Sequence, residues 1–111
     1  MIETVLKQYL DGHLAVPSFF EKPEPDQDSY VLIERTGGAM RNHLATGTFA
    51  FQSYAPSMLD AAQLNEQVKA AVADAIELPE VASVRLNSDY NFTDTTTKKY
   101  RYQAVFDIGY Y

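Results

Sequence analysis

Cysteine and tryptophan are both missing from this chain of 111 residues, and histidine occurs only at His13 and His43. Without cysteine there is no disulfide staple, no thiol nucleophile and no thiolate ligand for zinc or an iron–sulfur cluster, although the redox compartment is left open. Basic residues are scarce too: 9 Lys and Arg stand against 15 Asp and Glu, a formal net charge of −6. A free-standing nucleic-acid binder needs the opposite sign. No apolar stretch approaches the roughly 20 residues of a membrane helix. The N-terminus has no basic segment leading into an apolar run, so the expectation is a soluble chain, complete at its start. Charged residues, at 22%, are also too few for a disordered polyelectrolyte. The length fits one modest domain, residues 1–111, and excludes large catalytic barrels and enzymes with a separate substrate domain, while a small enzyme stays open. What the chain does have is 46% apolar and 13% aromatic residues, enough to fill a single core.

Ile2, Val5, Leu6, Tyr9 and Leu10 share one helical face, and Asp11-Gly12 supplies a stop, so a short amphipathic helix opens the chain. At about three turns it must pack on something to persist. Leu14 to Phe20 is apolar but broken by Pro17, which suits an edge strand or an irregular extended run. The segment from Glu21 to Asp28, with two prolines and four acids, is a solvent-facing connector. Tyr30-Val31-Leu32-Ile33-Glu34-Arg35 then reads as a strand buried on both faces, and Gly37-Gly38 as the turn, or the base of the hairpin loop, that ends it. His43 to Tyr54 forms the next strand, with Phe49 and Phe51 toward the core. Ser57 caps a helix in an approximate capping box with Asp60; Ala61, Leu64, Val68, Ala71, Val72, Ala75 and Ile76 form its apolar stripe, with Asn65, Glu66, Lys69 and Asp74 on the wetter side. Leu78-Pro79 ends it. Two strands follow: Val81 to Phe92, with Val84, Leu86, Tyr90 and Phe92 on one face, and Lys98 to Tyr111, with Tyr100, Tyr102, Ala104, Phe106, Ile108 and Tyr110 on one face. The polar run from Asp94 to Thr97 between them has the composition of an exposed hairpin tip.

This order predicts an α+β fold: a mostly antiparallel sheet, with room for a mixed one, of four or five strands, carrying an N-terminal helix and one long central helix. If both helices cover the face of Phe49 and Phe51, the other face carries Thr46, Thr48, Gln52, Arg85, Arg101 and Gln103, polar enough for water or a wet protein interface.

Catalytic and metal-binding chemistry finds little purchase. The two histidines have no spacing that joins them to carboxylates; His13 reads as a helix C-terminal residue favoured by the dipole and His43 as a strand-edge residue. Asp89 with Asp94, and Glu24, Asp26 and Asp28, are explained by loop solvation and lack the spacing of a calcium loop. Gly37-Gly38 between Arg35 and Arg41 lacks the glycine pattern and Gly-Lys-Ser/Thr ending of a phosphate loop. Lys98, Lys99 and Arg101 interleave with Tyr100 and Tyr102, but alternation puts Lys99 and Arg101 on one face and the tyrosines on the other, which argues against a stacking platform for nucleic acid. The expectation is no enzyme activity, no cofactor and no metal. Eight tyrosines and six phenylalanines exceed what such a core needs, and Tyr54, Tyr110 and Tyr111 fall at strand ends or the terminus. Tyrosine buries ring area while keeping its hydroxyl paired, so an assembly subunit fits better than an enzyme.

Over nearly its whole length the chain resembles the tail terminator or tail completion proteins of long-tailed bacteriophages, which include small proteins described as minor capsid or minor tail proteins. The likeness lies in an N-terminal helix, the Pro-interrupted segment before Tyr30-Val31-Leu32-Ile33-Glu34-Arg35-Thr36-Gly37-Gly38, the strand ending Phe49-Ala50-Phe51-Gln52-Ser53-Tyr54, the helix from Ser57 and the closing Tyr100-Arg101-Tyr102-Gln103-Ala104-Val105-Phe106-Asp107. The resemblance implies a homo-hexameric ring at the head-proximal end of the tail tube, which stops tube polymerisation and offers a joining surface to the head. Its partners would be itself, the major tail tube protein and a head–tail connector or stopper protein, in the virion after assembly in the bacterial cytoplasm, with no membrane, small-molecule or direct DNA contact. The alternative is another head–tail connector or neck protein of similar size, or a small protein-binding module. The resemblance carries over no catalytic residue. The candidate interface residues are Glu34, Arg35 and Arg41 around the glycines, Asp94, Lys98 and Lys99 in the last hairpin, and Tyr110 and Tyr111 at the end.

Overall fold

In the computed structural model, which describes residues 1–94, 96 and 99–111, two helices lie on one face of a five-stranded sheet. Helix α1 spans Ile2–His13, strand β1 Ser18–Phe19, β2 Tyr30–Arg41, β3 Leu44–Ala55, helix α2 Met58–Asp74 with a 3-10 turn at Ala75–Glu77, β4 Val81–Asn91 and β5 Tyr100–Tyr110. The strand order is β1-β2-β3-β5-β4. β1 runs parallel to β2 and every other pair is antiparallel. The fold is therefore α+β with a mixed, mostly antiparallel sheet, as its sequence predicts.

Ile2, Leu6, Tyr9 and Leu10 of α1 and Leu64, Val68 and Val72 of α2 meet Ile33, Phe49, Phe51, Ala104, Phe106 and Ile108 of the sheet in one core. The rings of Phe51 and Phe106 meet edge to face, 6.0 Å between centroids. Ser57 caps α2 by accepting the backbone N–H of Asp60 at 3.1 Å. α1 continues through Gly12 to His13, whose Nδ1 lies 2.8 Å from the Tyr9 carbonyl and whose ring stacks on that of Tyr9.

Four local expectations are corrected. Gly37-Gly38 is not the turn: β2 runs through both glycines with a bulge between Arg35 and Gly37. The chain reverses at Asn42-His43, with φ of 51° and 66°, the two-residue hairpin geometry with both central residues at positive φ. His43 is thus a turn residue and not a strand-edge one. Asn65 is buried and Ile76 exposed, the reverse of their expected places: Asn65 lies beside Leu64 and Val68 on the buried side of α2 and donates to Asp89, while the helix tightens into the 3-10 turn at Ala75 and rotates Ile76 off the stripe. In β4, Leu86 pairs with Phe106 but Ser88 with Val105, so Asn87 is an extra residue. That bulge reverses the alternation: Asp89 turns to the helix side, Tyr90 to the open face, and the expected grouping of Tyr90 with Val84 and Leu86 fails.

Candidate interaction surface

The sheet face away from the helices carries one continuous hydrogen-bonded chain across three strands. Arg101 Nη1 donates to the Tyr54 hydroxyl at 2.7 Å, Tyr54 donates to Gln52 Oε1 at 3.3 Å, Gln52 Nε2 to Gln103 Oε1 at 2.9 Å, and Gln103 Nε2 to the Tyr90 hydroxyl at 2.6 Å. Gln52 and Gln103 are directly opposite each other on β3 and β5, and Tyr90 is opposite Gln103 on β4. Each amide both donates and accepts, so each donor polarises the next. Both glutamines are only 8% exposed, and the network satisfies groups that would otherwise be costly to bury. Glu34 on β2 extends the row by accepting from Gln52 Nε2 at 3.5 Å.

A second cluster lies further along the same face. Asp107 accepts from Thr48 Oγ1 at 2.9 Å, from Asn87 Nδ2 at 3.1 Å and from Arg85 Nη2 at 3.3 Å. Those donors, Asn87 first and then Thr48, hold its carboxyl below the usual aspartate range. At the other end, the ring of Tyr54 stacks on Tyr30, 4.6 Å between centroids, and Phe19 meets Tyr30 edge-on. The connector from Glu21 to Asp28 reaches this end and is tied down by an ion pair between Asp26 and Lys99. Asp26 stays half exposed, as a solvated loop acid does, and its hydrogen bond with Lys99 lowers its pKa. Between connector and sheet lies a shallow recess whose walls include Lys22, Glu34, Gln52, Tyr54 and Arg101. Both signs of charge line it.

Tyr30 is 1% exposed and its hydroxyl has no hydrogen-bond partner among the described residues. Burial, with smaller contributions from Tyr54 and Asp26, pushes its pKa up to about 12.

The expected interface residues fall in three places. Glu34 is on the open face. Arg35 lies on the helix side, its guanidinium 5.9 Å from the ring centroids of Phe49 and Tyr110 and 3.8 Å from Glu3. Arg41 ends β2, exposed beside the Asn42-His43 turn; these three are strung along a strand and do not surround a glycine loop. Tyr110 is half-buried beneath Arg35, while Tyr111 is 81% exposed and holds Glu80 O through its backbone N–H at 3.1 Å. Asp94 and Lys99 form a bridge at the β4–β5 end, and Lys98 lies outside the described residues. The sequence placed Gln52 and Gln103 on the polar face but did not single them out, nor Tyr90; opposed glutamines become a signal only once the β3–β5 register is known.

Among the described residues no three His, Asp or Glu side chains gather at metal-binding distance, and no helix is long and apolar enough to cross a membrane. Compared with known proteins, the chain matches no family model and is similar to no curated sequence.

Proposed function

We propose that this chain is a structural subunit of a phage tail, forming a ring at the head-proximal end of the tail tube that stops tube growth and presents the surface to which the head joins. The observation that carries the reading is a helix-backed sheet whose other face is held in order by a polar network, Arg101-Tyr54-Gln52-Gln103-Tyr90, buried at Tyr54 and both glutamines and reaching the surface at Arg101 and Tyr90. A surface held in one arrangement by its own hydrogen bonds loses little entropy when a partner docks. It suits a wet interface between proteins better than chemistry on a small substrate. The resemblance of its element order to that of tail terminators supports placing such a surface in their assembly. In a closed ring every subunit contacts two neighbours and offers its tube-binding patch in several copies at once, so individually modest contacts hold firmly.

The test mixes the protein with purified tail-tube subunits and measures tube length by electron microscopy. A terminator binds one end and shortens the tubes as its concentration rises. Side binding along the tube, or tubes of unchanged length, overturns the reading.

A further inference from the structure

The two edges of the sheet are both open among the described residues, and they match. β1 pairs with β2 only at Val31 and Leu32, so the outer edge of β2 is unpaired from Ile33 to Arg41. β4 has β5 on one side and no described strand on the other. The four long strands are antiparallel throughout, and four is an even number, so the edge strands run in opposite directions: β2 toward the Asn42-His43 turn, β4 away from it. A second copy placed beside the first, at the same height and in the same orientation, would therefore set its β2 antiparallel to the first copy's β4. An odd number of strands would have set it parallel.

Level, charge and shape agree with this placement. The register runs Met40 to Ala45 to Tyr110 to Val81 across the sheet. Exposed Arg41 thus ends one edge at the height where Glu80 begins the other, and neither makes an ion pair among the described residues. On the helix side each edge has an apolar notch. One, of 380 Å³, lies between α2 and β4 and is lined by Ala70, Ala73, Val84, Leu86 and Phe106 together with Glu66 and Lys69. The other, of 330 Å³, lies beside β2 and is walled by Met1, Phe20 and Ile33 together with Glu3, Glu34 and Arg35. They stand at the same level, because Leu86 pairs with Phe106, Phe106 with Phe49 and Phe49 with Arg35. Leu86 is 44% exposed, Phe20 43% and Met1 79%, so each notch leaves apolar surface in water that the other would cover.

We propose that these edges are the contact between successive copies of this chain: β2 of one copy pairs with β4 of the next, and the α1 end of one seats its Met1 and Phe20 in the α2–β4 notch of its neighbour. The contact is heterologous, so it repeats and closes into a ring when the rotation per step divides a full turn. Bulges at both ends of Ser83–Leu86 confine regular pairing to that stretch of β4. The proposal rests on the ring reading above and names the surfaces that make the ring.

The missing cysteine makes the test clean. Ala39 and Ser83 are exposed and stand at the same level through Thr46 and Gly109. Within one molecule they are three strand spacings apart, about 14 Å, too far for a disulfide. A mixture of Ala39→Cys and Ser83→Cys proteins, oxidised to form disulfides, should give a covalent heterodimer that neither variant forms alone, and the double variant should give a ladder ending at the ring. Leu86→Asp, with its circular dichroism unchanged, should abolish both. An oligomer of discrete mass in which the Ala39→Cys protein cross-links only to itself, or in which nothing cross-links, overturns this contact while leaving the ring standing. A chain that is monomeric at every concentration also overturns it, and the tube-capping assay then decides the ring reading separately.

Discussion

Tyr30 shows how a single side chain can carry a cost that the surrounding fold outweighs. Its ring is stacked and buried, but its hydroxyl has no partner among the described residues, and such an orphan costs about 1–3 kcal/mol. Tyr30→Phe keeps the stacking and removes the orphan, so its urea midpoint should rise with an unchanged slope. The same substitution separates a pH effect. The folded pKa is raised to about 12, above the roughly 10 of an unfolded tyrosine. The neutral phenol is the form the fold favours, so this contribution is fully present below about pH 10 and is lost as pH rises through the folded value. Stability measured between those limits should fall less steeply in Tyr30→Phe than in the parent chain. Gln103 is the opposite case, a buried polar group whose neighbours depend on it. Gln103→Ala strips the acceptor from Gln52 and the donor from Tyr90, and should cost about 1–3 kcal/mol of unfolding free energy in urea.

At the scale of elements, helix α2 is held at its start by one hydroxyl. Ser57→Ala leaves the Asp60 N–H without its cap and should lower stability by about 1 kcal/mol, read from thermal or urea unfolding, with the ladder on the opposite sheet face undisturbed. The tip of the β2–β3 hairpin is constrained differently. A Cβ at Gly47 would stand 2.5 Å from the ring of Phe49, so Gly47 is needed for a close approach of ring to backbone and not for a turn. The extra residue Asn87 in β4 sets which residues reach the open face. It brings Asp89 round to α2, 3.4 Å from Lys69 Nζ and 3.5 Å from Asn65 Nδ2, and frees Tyr90 to end the glutamine ladder.

On the scale of the whole molecule, the four-strand antiparallel block has its β4 edge unpaired and its β2 edge paired only at Val31 and Leu32 among the described residues, an arrangement that a solitary chain must guard against. Light scattering on a size-exclusion column across a concentration series should give a discrete hexamer under the proposed reading, with the equilibrium shifted toward monomer in Leu86→Asp. High salt should weaken the assembly as well, since Arg41 and Glu80 are exposed charges and screening acts most strongly on such pairs. A single mass at all concentrations, equal to one chain, counts against self-assembly in solution.

The residue pattern alone determined the element types and most of their bounds. Alternation in 44–54 and 100–110 and the helical stripe of Ala61, Leu64, Val68 and Val72 depend only on which face must leave water, and that demand is local. The Ser57 cap and the polar character of the face bearing Gln52 and Gln103 were legible for the same reason. The position of the first hairpin turn was not: Gly37-Gly38 is the stronger local turn signal, yet the pairing of Gly38 with Gly47 and of Ala39 with Thr46 carries β2 past it, because long-range ladder bonds outweigh a permissive backbone. The bulge at Asn87 has no local signature, since an added residue leaves composition and period intact on either side and reveals itself only against its partner strand. The glutamine ladder and the matching of the two sheet edges depend on strand order and register, which are properties of residues distant in the chain brought side by side, and only the tertiary structure decides them.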